Sequence, residues 1–289
     1  MATLLQATNI SKEYISGTFL KKRNLALKEI SFSVEETPPS ITAIAGESGS
    51  GKTTMARLLA GLLDKSGGEL LYKGKSLNKM NSEEKLTFKK EVQTIFQDPF
   101  EVYNPFYKVD HVLTTPLKKF GITSNKSDSD KMILSALEEV GLRPDETLGR
   151  FPHQLSGGQR QRIMVARAFL LRPKIIIADE PVSMVDASLR ATILEELKLL
   201  REKHGISIVY ITHDLTTAYQ VADNILILYK GYLKEAGSVE VVINNPQHPY
   251  TKLLVDSIPQ PDPDIKWGKL DISATQELLE TPGVGWRNS

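Results

Sequence analysis

The sequence predicts an α/β fold, built on a mostly parallel β-sheet whose two faces are covered by helices. Two observations predict it. Short apolar segments typical of buried strands alternate with segments of helical periodicity, and one such strand is followed by a glycine-rich loop and a helix. Alternation of this kind favours parallel pairing, because each helix returns the chain to the same end of the sheet. From residue 99 to about residue 171 the pattern is mainly helical, which predicts an inserted α-helical subdomain.

The first part of the chain is expected to be mainly strand. Its apolar residues alternate or cluster as in β-strands, and Pro38 and Pro39 mark a turn because proline cannot donate to a strand ladder. The predicted elements are strands at residues 4–14, 25–34 and 41–45, a helix at 52–63 and a strand at 92–96.

The second part begins with helices and then returns to alternating strands and helices. The predicted elements are helices at residues 128–140 and 157–171, a strand at 174–179, a helix at 189–203, a strand at 206–212, a helix at 215–222 and a strand at 224–229. The proline-rich stretch that starts at Pro259 interrupts this pattern. We therefore expect one domain over residues 1–258 and a loosely packed C-terminal extension over residues 259–289.

Composition and charge exclude several classes of protein. The 289 residues include 36 Lys and Arg against 35 Asp and Glu, so no broad basic field marks a nucleic-acid partner. The chain has no cysteine, which excludes disulfides and thiolate metal sites. Its longest apolar run, residues 225–229, is far shorter than the roughly 20 residues of a membrane-spanning helix. We therefore expect a soluble cytoplasmic protein, in which any membrane crossing belongs to another chain.

A phosphate-binding loop is predicted at residues 46–54, which match the pattern G-x-x-x-x-G-K-[ST] between a strand and a helix. Glycines let backbone N–H groups converge on phosphate oxygens, and the helix N-terminus attracts the same anion. Lys52 is expected to reach the β- and γ-phosphates, and the Thr53 hydroxyl to bind Mg²⁺. The predicted nucleotide ligands are Gly46, Glu47, Ser48, Gly49, Ser50, Gly51, Lys52, Thr53 and Thr54.

Two acids, Asp179 and Glu180, follow the apolar segment 175–178. A buried strand that ends in acids places them at the carboxyl edge of the sheet, where ligands bind in open α/β folds. Asp179 is expected to hold the Mg²⁺ shell, and Glu180 to polarise the attacking water. An acid pair that only caps a following helix is the alternative, and the upstream phosphate loop argues against it.

The segment 155–162 begins with Leu-Ser-Gly-Gly-Gln and resembles the signature motif of ABC ATPases. A phosphate loop, this signature and an Asp-Glu strand, in this order, identify the chain as a member of that superfamily. The resemblance implies a P-loop NTPase core with a mostly parallel sheet, an antiparallel β subdomain and an inserted α-helical subdomain. It also implies ATP and Mg²⁺ as ligands, and ATP hydrolysis as the activity.

Four further residues resemble functional positions of this superfamily. Gln97 resembles the Q-loop glutamine, which contacts Mg²⁺ and the attacking water, and His213 resembles the switch histidine near the γ-phosphate. Asp186 resembles the D-loop aspartate, although Met184 and Val185 depart from the usual Ser-Ala-Leu-Asp. Tyr14 stands where the family keeps an aromatic residue that stacks on adenine. The resemblance therefore assigns catalytic roles to Gln97, Lys52, Glu180 and His213, and metal binding to Thr53, Gln97 and Asp179.

The signature implies an assembly of two chains. A glycine-led helix N-terminus is an anion site, and in this family it faces the γ-phosphate of ATP bound to the partner subunit. The residues assigned to this contact are Ser156, Gly157, Gly158 and Gln159. Each active site would then be shared, with ATP closing the dimer and hydrolysis releasing it.

The C-terminal stretch 245–254, which contains His-Pro-Tyr-Thr, is similar to one in oligopeptide, dipeptide and nickel importer ATPases. Residues 52–59 are more like the F-type than the D-type subunit of these importers. The resemblance implies a D-type ATPase as partner, two transmembrane permease subunits, an indirect solute-binding protein and a place at the cytoplasmic face of the membrane. Peptides are the expected cargo, with nickel and oligosaccharides open. An exporter ATPase and a non-transport ABC ATPase of DNA repair or translation are the alternatives.

Overall fold

The computed structural model describes residues 3–17, 22–98, 103–258 and 281–287. In chain order its strands are β1 (Thr3–Ser16), β2 (Lys22–Glu35), β3 (Ile41–Ala45), β4 (Gly67–Tyr72), β5 (Lys75–Ser76), β6 (Val92–Ile95), β7 (Ile175–Asp179), β8 (Ser207–Thr212), β9 (Asn224–Tyr229), β10 (Tyr232–Ser238) and β11 (Trp286–Arg287). Its helices are α1 (Lys52–Leu59), α2 (Ser82–Glu91), α3 (Asp110–Lys119), α4 (Lys126–Glu139), α5 (Pro144–Thr147), α6 (Gly157–Phe169), α7 (Ala187–His204), α8 (Leu215–Val221), α9 (Val239–Asn244) and α10 (Pro249–Asp256). No helix in this described part is long and apolar enough to cross a membrane.

The larger sheet has seven strands in the order β11-β10-β9-β3-β8-β7-β6. Its strands from β9 to β6 pair in parallel, while β10 runs antiparallel to β9. Strands β3, β7 and β8 are buried along their whole length, which explains their mainly apolar sequences. The predicted α/β fold with a mostly parallel sheet is therefore confirmed.

A second sheet is antiparallel, with the order β2-β1-β4-β5. Helix α1 lies between the two sheets, because Met55, Leu58 and Leu59 join one apolar cluster with residues of both. The sequence did not predict β4, whose first three residues are Gly67, Gly68 and an acid and whose buried side chains are confined to its second half. The packing of this sheet on α1 orders the strand, which its own residues barely favour.

Helix α1 ends at Leu59, four residues before the predicted end. Gly61 takes a left-handed backbone with φ of +65°, and the Leu62 N–H donates to the Arg57 carbonyl. The Gly61 N–H also donates to the Leu58 carbonyl, and these two bonds define a Schellman motif. The glycine was therefore the available stop signal. A start signal was missed at α2, where Asn81 and Glu84 form a reciprocal capping box.

Helices α3 to α6 lie between β6 and β7 and share a core that includes Leu113, Leu137 and Ile163. They fall inside the predicted helical interval 99–171, of which residues 99–102 lie outside the described residues. The interval and the domain boundary at residue 258 stay predictions. Most of the predicted extension, residues 259–280, also lies outside the described part. Residues 281–287 pack against β10 and are not loose. Strand β11 pairs with β10, and the Val284 N–H donates to the Lys234 carbonyl at 2.7 Å.

Glu196, on α7, is a buried carboxylate whose two oxygens have no hydrogen-bond partner among the described residues. Burial raises its pKa to about 8, and the nearby charge of Arg162 opposes this shift. Between pH 4.5 and pH 8 the unfolded chain therefore binds fewer protons than the folded chain, so the free energy of unfolding falls as the pH rises. We expect Glu196→Gln to remove this dependence, which amounts to on the order of 1 kcal/mol per pH unit.

Urea unfolding of the wild type and of Glu196→Gln at pH 5 and pH 8 measures how the free energy of unfolding depends on pH. The same loss of stability at pH 8 in both proteins would assign the pH dependence to other groups.

Candidate nucleotide site

The loop Gly46–Gly51 connects β3 to α1, and close packing requires glycine at its two ends. A Cβ at Gly46, where φ is +153°, would overlap the carbonyl oxygen of Leu228. A Cβ at Gly51, where φ is +106°, would lie 2.6 Å from the Ala26 carbonyl oxygen. Glycine at these two positions is therefore needed for the loop to pack against its neighbours, and it also leaves the backbone N–H groups accessible to a phosphate.

Lys52 opens α1 and is buried, with 5% of its surface exposed. Its Nζ donates to the carbonyl oxygens of Gly46 and Glu47, both at 2.8 Å. Burial lowers the pKa of Lys52, while Glu180, Asp179 and Glu47 act in the opposite direction. The ammonium thus lies within the loop, surrounded by acceptors, where a bound phosphate would supply further negative charge.

Asp179 ends β7 and faces Thr53, the residue after Lys52. Asp179 is buried, and burial raises its pKa. A hydrogen bond with the Thr53 side chain acts in the opposite direction but is the smaller effect. Its Oδ1 atom has no hydrogen-bond partner among the described residues. A buried carboxylate oxygen without a partner beside a hydroxyl is a set of oxygen donors that fits Mg²⁺.

Glu180 is the centre of a hydrogen-bonded cluster at the carboxyl edge of the sheet. Its Oε2 accepts from Nε2 of Gln97 at 3.0 Å, and its Oε1 lies 3.0 Å from Nδ1 of His213. Its backbone is left-handed, with φ of +47°, and its N–H donates to the Ile211 carbonyl. Such a conformation costs energy for a non-glycine residue and is found at sites where a side chain must be aimed.

These groups line one cleft of about 1020 Å³. The predicted site residues on its wall are Tyr14, Glu47, Ser48, Gly49, Gly51, Lys52, Thr53, Thr54, Gln97, Glu180 and His213. Gly46, Ser50 and Asp179 are buried beside them. The Tyr14 ring is partly exposed at the mouth of the loop. Its hydroxyl lies 3.5 Å from Oγ1 of Thr54, and Nζ of Lys12 lies 5.3 Å from its centroid.

The sequence missed five residues of the cleft wall, which are Asn24, Leu25, Ala26, Lys230 and Leu254. They come from β2, from the turn between β9 and β10, and from α10. Asn24, Leu25, Ala26 and Lys230 lie in no recognisable motif, and their approach to the loop depends on tertiary packing. Leu254 does lie in the C-terminal stretch that carried the importer resemblance, which was the one available signal.

The signature lies elsewhere in the same chain. Ser156 caps α6, with its Oγ accepting from the Gln159 N–H at 3.2 Å while Gln159 Oε1 accepts from the Ser156 N–H at 2.9 Å. None of the residues 156–159 lines the cleft. Asp186 is exposed at the start of α7, and the nearby Met184 carbonyl lies 3.4 Å from where a Cβ of Gly157 would be. The predicted signature and D-loop residues therefore share a surface that is separate from the chain's own phosphate loop.

Comparison with known proteins identifies the family. The profile of the family described as "ABC transporter" matches residues 27–183. The chain belongs to the ABC transporter family. A second profile, "Oligopeptide/dipeptide transporter, C-terminal region", matches residues 235–285 of this ABC ATPase. The sequence-based resemblance is thereby confirmed.

Relatives with known names resemble this ABC ATPase over most of its length. It is 39% identical over 273 residues to the dipeptide transport ATP-binding protein DppF of Haemophilus influenzae, which covers 93% of this chain and 82% of the relative. It is 40% identical over 245 residues to the oligopeptide transport ATP-binding protein OppF of Streptococcus pyogenes serotype M1. This alignment covers 84% of this chain and 78% of the relative. A dimeric ATP-binding cassette solved in a post-hydrolysis state with ADP and Pi has a TM-score of 0.72 and 27% identity, covering 82% of this chain and 99% of its own. The roles of the individual site residues stay predictions.

Proposed function

We propose that this chain is the ATP-binding and hydrolysing subunit that powers import of peptides through an ABC transporter. The observation that carries the proposal is the cluster in which Gln97 and His213 both contact the Glu180 carboxylate, on the wall of the cleft that Lys52 also lines. The C-terminal match at residues 235–285, together with relatives named for dipeptide and oligopeptide transport, supports the importer class and the peptide cargo.

The residues of the cleft divide the chemistry among them. Lys52 and the N-terminus of α1 bind the phosphates, and Tyr14 stacks on the base. Thr53, Asp179 and Gln97 hold Mg²⁺, which neutralises charge on the β- and γ-phosphates when it is bound. Glu180 accepts a hydrogen bond from the attacking water and orients it, while His213 contacts the Glu180 carboxylate. This arrangement provides positioning and electrostatic stabilisation, which are the main requirements of phosphoryl transfer.

The assembly follows from the separation of signature and cleft. Because Ser156 to Gln159 do not reach the chain's own cleft, they are available to the ATP held by another ATPase chain. The similarity to a cassette solved as a dimer supports this arrangement. We propose a D-type ATPase as the partner chain, two permease subunits that place the pair at the cytoplasmic face of the membrane, and a solute-binding protein that acts through the permeases. An exporter or a non-transport ATPase gives no reason for the match at residues 235–285.

Reconstitution tests this function. The chain is purified from its source membrane with the subunits that accompany it, placed in liposomes, and assayed for ATP hydrolysis with and without a peptide-loaded binding protein. The proposal predicts that the peptide-loaded binding protein raises the rate of ATP hydrolysis. It also predicts that the peptide crosses the liposome membrane from the side of the binding protein to the side of the ATPase. Stimulation by nickel or an oligosaccharide alone would contradict the peptide cargo, and the absence of membrane subunits in the purified assembly would contradict transport.

A further inference from the structure

The His-Pro-Tyr stretch that opens α10 reaches the phosphate loop. Tyr250 is fully buried, and its hydroxyl oxygen accepts a hydrogen bond from the backbone N–H of Glu47 at 3.1 Å. Leu254, four residues later, lines the nucleotide cleft. Residues i and i+4 share one face of a helix, so this face of α10 packs along the loop and forms part of the cleft wall.

The start of the phosphate loop is held from two sides. On one side, Gly46 lies so close to the Leu228 carbonyl that no side chain would fit between them. On the other side is Tyr250, whose ring packs on that of Tyr229, the last residue of β9, at 4.4 Å between centroids. The loop therefore leaves β3 between β9 and α10, and the Tyr250 hydroxyl provides a directed contact on the α10 side.

Buried polar contacts fix the position of Tyr250. His248 is fully buried, its Nδ1 accepts from the Tyr250 N–H at 3.0 Å, and its Nε2 lies 3.2 Å from the Thr281 carbonyl oxygen. The ring therefore carries its proton on Nε2 and donates it to Thr281. The Glu235 carboxylate accepts from the backbone N–H of His248, and Lys234 Nζ donates to the Thr281 carbonyl. These contacts join α10 to β10 and to the C-terminal residues 281–287.

We infer that Tyr250 is a positioning residue for ATP binding, which holds the Glu47 amide and thereby orders the phosphate loop before the nucleotide arrives. This inference rests on the proposed function and assigns part of it to the C-terminal region. A loop ordered in advance loses less conformational entropy when a phosphate binds. Tyr250 is buried behind the loop and does not line the nucleotide cleft, so its effect is on affinity and not on the chemical step.

The test is Tyr250→Phe in the full assembly, since it removes only the hydroxyl and leaves the ring packing. We expect the Kd and KM for ATP to rise about tenfold, which corresponds to ~1.4 kcal/mol, while kcat at saturating ATP stays within about twofold of wild type. Tyr72→Phe is the matched control, because Tyr72, on β4 of the antiparallel sheet, is also buried and its hydroxyl donates to Glu91 of α2 at 2.7 Å. The control is expected to lower thermal stability without changing the KM for ATP.

A second measurement has one readout in the wild-type assembly alone. Hydrogen exchange of the wild-type assembly without nucleotide should show a protected Glu47 amide, and Tyr250→Phe should expose it. An unchanged Kd for ATP in Tyr250→Phe, or a fast-exchanging Glu47 amide in the wild type, would overturn this inference alone. Failure of the wild type to bind ATP would overturn the proposed function as well.

Discussion

Replacing Glu180 by Gln is expected to reduce ATP hydrolysis by on the order of 10²–10⁴-fold while ATP binding persists. The glutamine has nearly the same shape and can still contact Gln97 and His213, so the cleft keeps its form. It cannot polarise water as a carboxylate does. The two-chain state closed by ATP should therefore become long-lived. Single-turnover hydrolysis and gel filtration with Mg-ATP measure the two effects.

The control for this variant is Glu195→Gln, which changes the same charge on an exposed side chain of α7. It should hydrolyse ATP at the wild-type rate. Near-normal turnover by Glu180→Gln would show that another group activates the water, and loss of both binding and turnover would show that the substitution had disturbed the loop.

Replacing Lys52 by Ala is expected to weaken ATP binding by about 10²-fold, since charge-assisted contacts to phosphate are lost from a water-poor site. The ammonium is buried and already bonded to two carbonyl groups of the loop, so the variant also loses part of the loop's own order. Equilibrium binding of ATP, measured by calorimetry or with a fluorescent analogue, checks the change.

Lys65→Ala is its matched control. Lys65 donates to the Gly68 carbonyl on an exposed surface outside the cleft, so the same loss of charge there should leave ATP affinity unchanged. Equal affinity of Lys52→Ala and wild type would contradict the assignment of the phosphate loop.

Much of the site could be predicted because its residues begin or end elements that the sequence marks clearly. Lys52 opens a helix after a glycine-rich loop, and Asp179 and Glu180 end a strand of unbroken apolar residues. Parallel pairing of β3, β7 and β8 then brings the ends of these strands to one edge. The contacts of Glu180 follow from this geometry.

The remaining features depend on packing between distant parts of the chain. Tyr250 and Glu47 are 203 residues apart, and nothing in either motif indicates that they meet. Lys230 enters the cleft from a turn, where its backbone has a left-handed φ of +46°. Strand β4 forms because the antiparallel sheet and α1 cover it, and local propensity favours it little. Pattern reasoning has no access to such contacts before the fold is known.

The shared active site is the central claim, and thiol labelling of Met184→Cys tests it most directly. The chain has no cysteine, and Met184 is 57% exposed on the surface that it shares with the signature. In an assembly that also carries Glu180→Gln, we predict that ATP blocks labelling by a maleimide and that ADP does not. Ser127→Cys, on an exposed part of α4, should react equally in every state. Labelling of Met184→Cys at one rate with ATP, with ADP and without nucleotide would contradict a site closed between two chains.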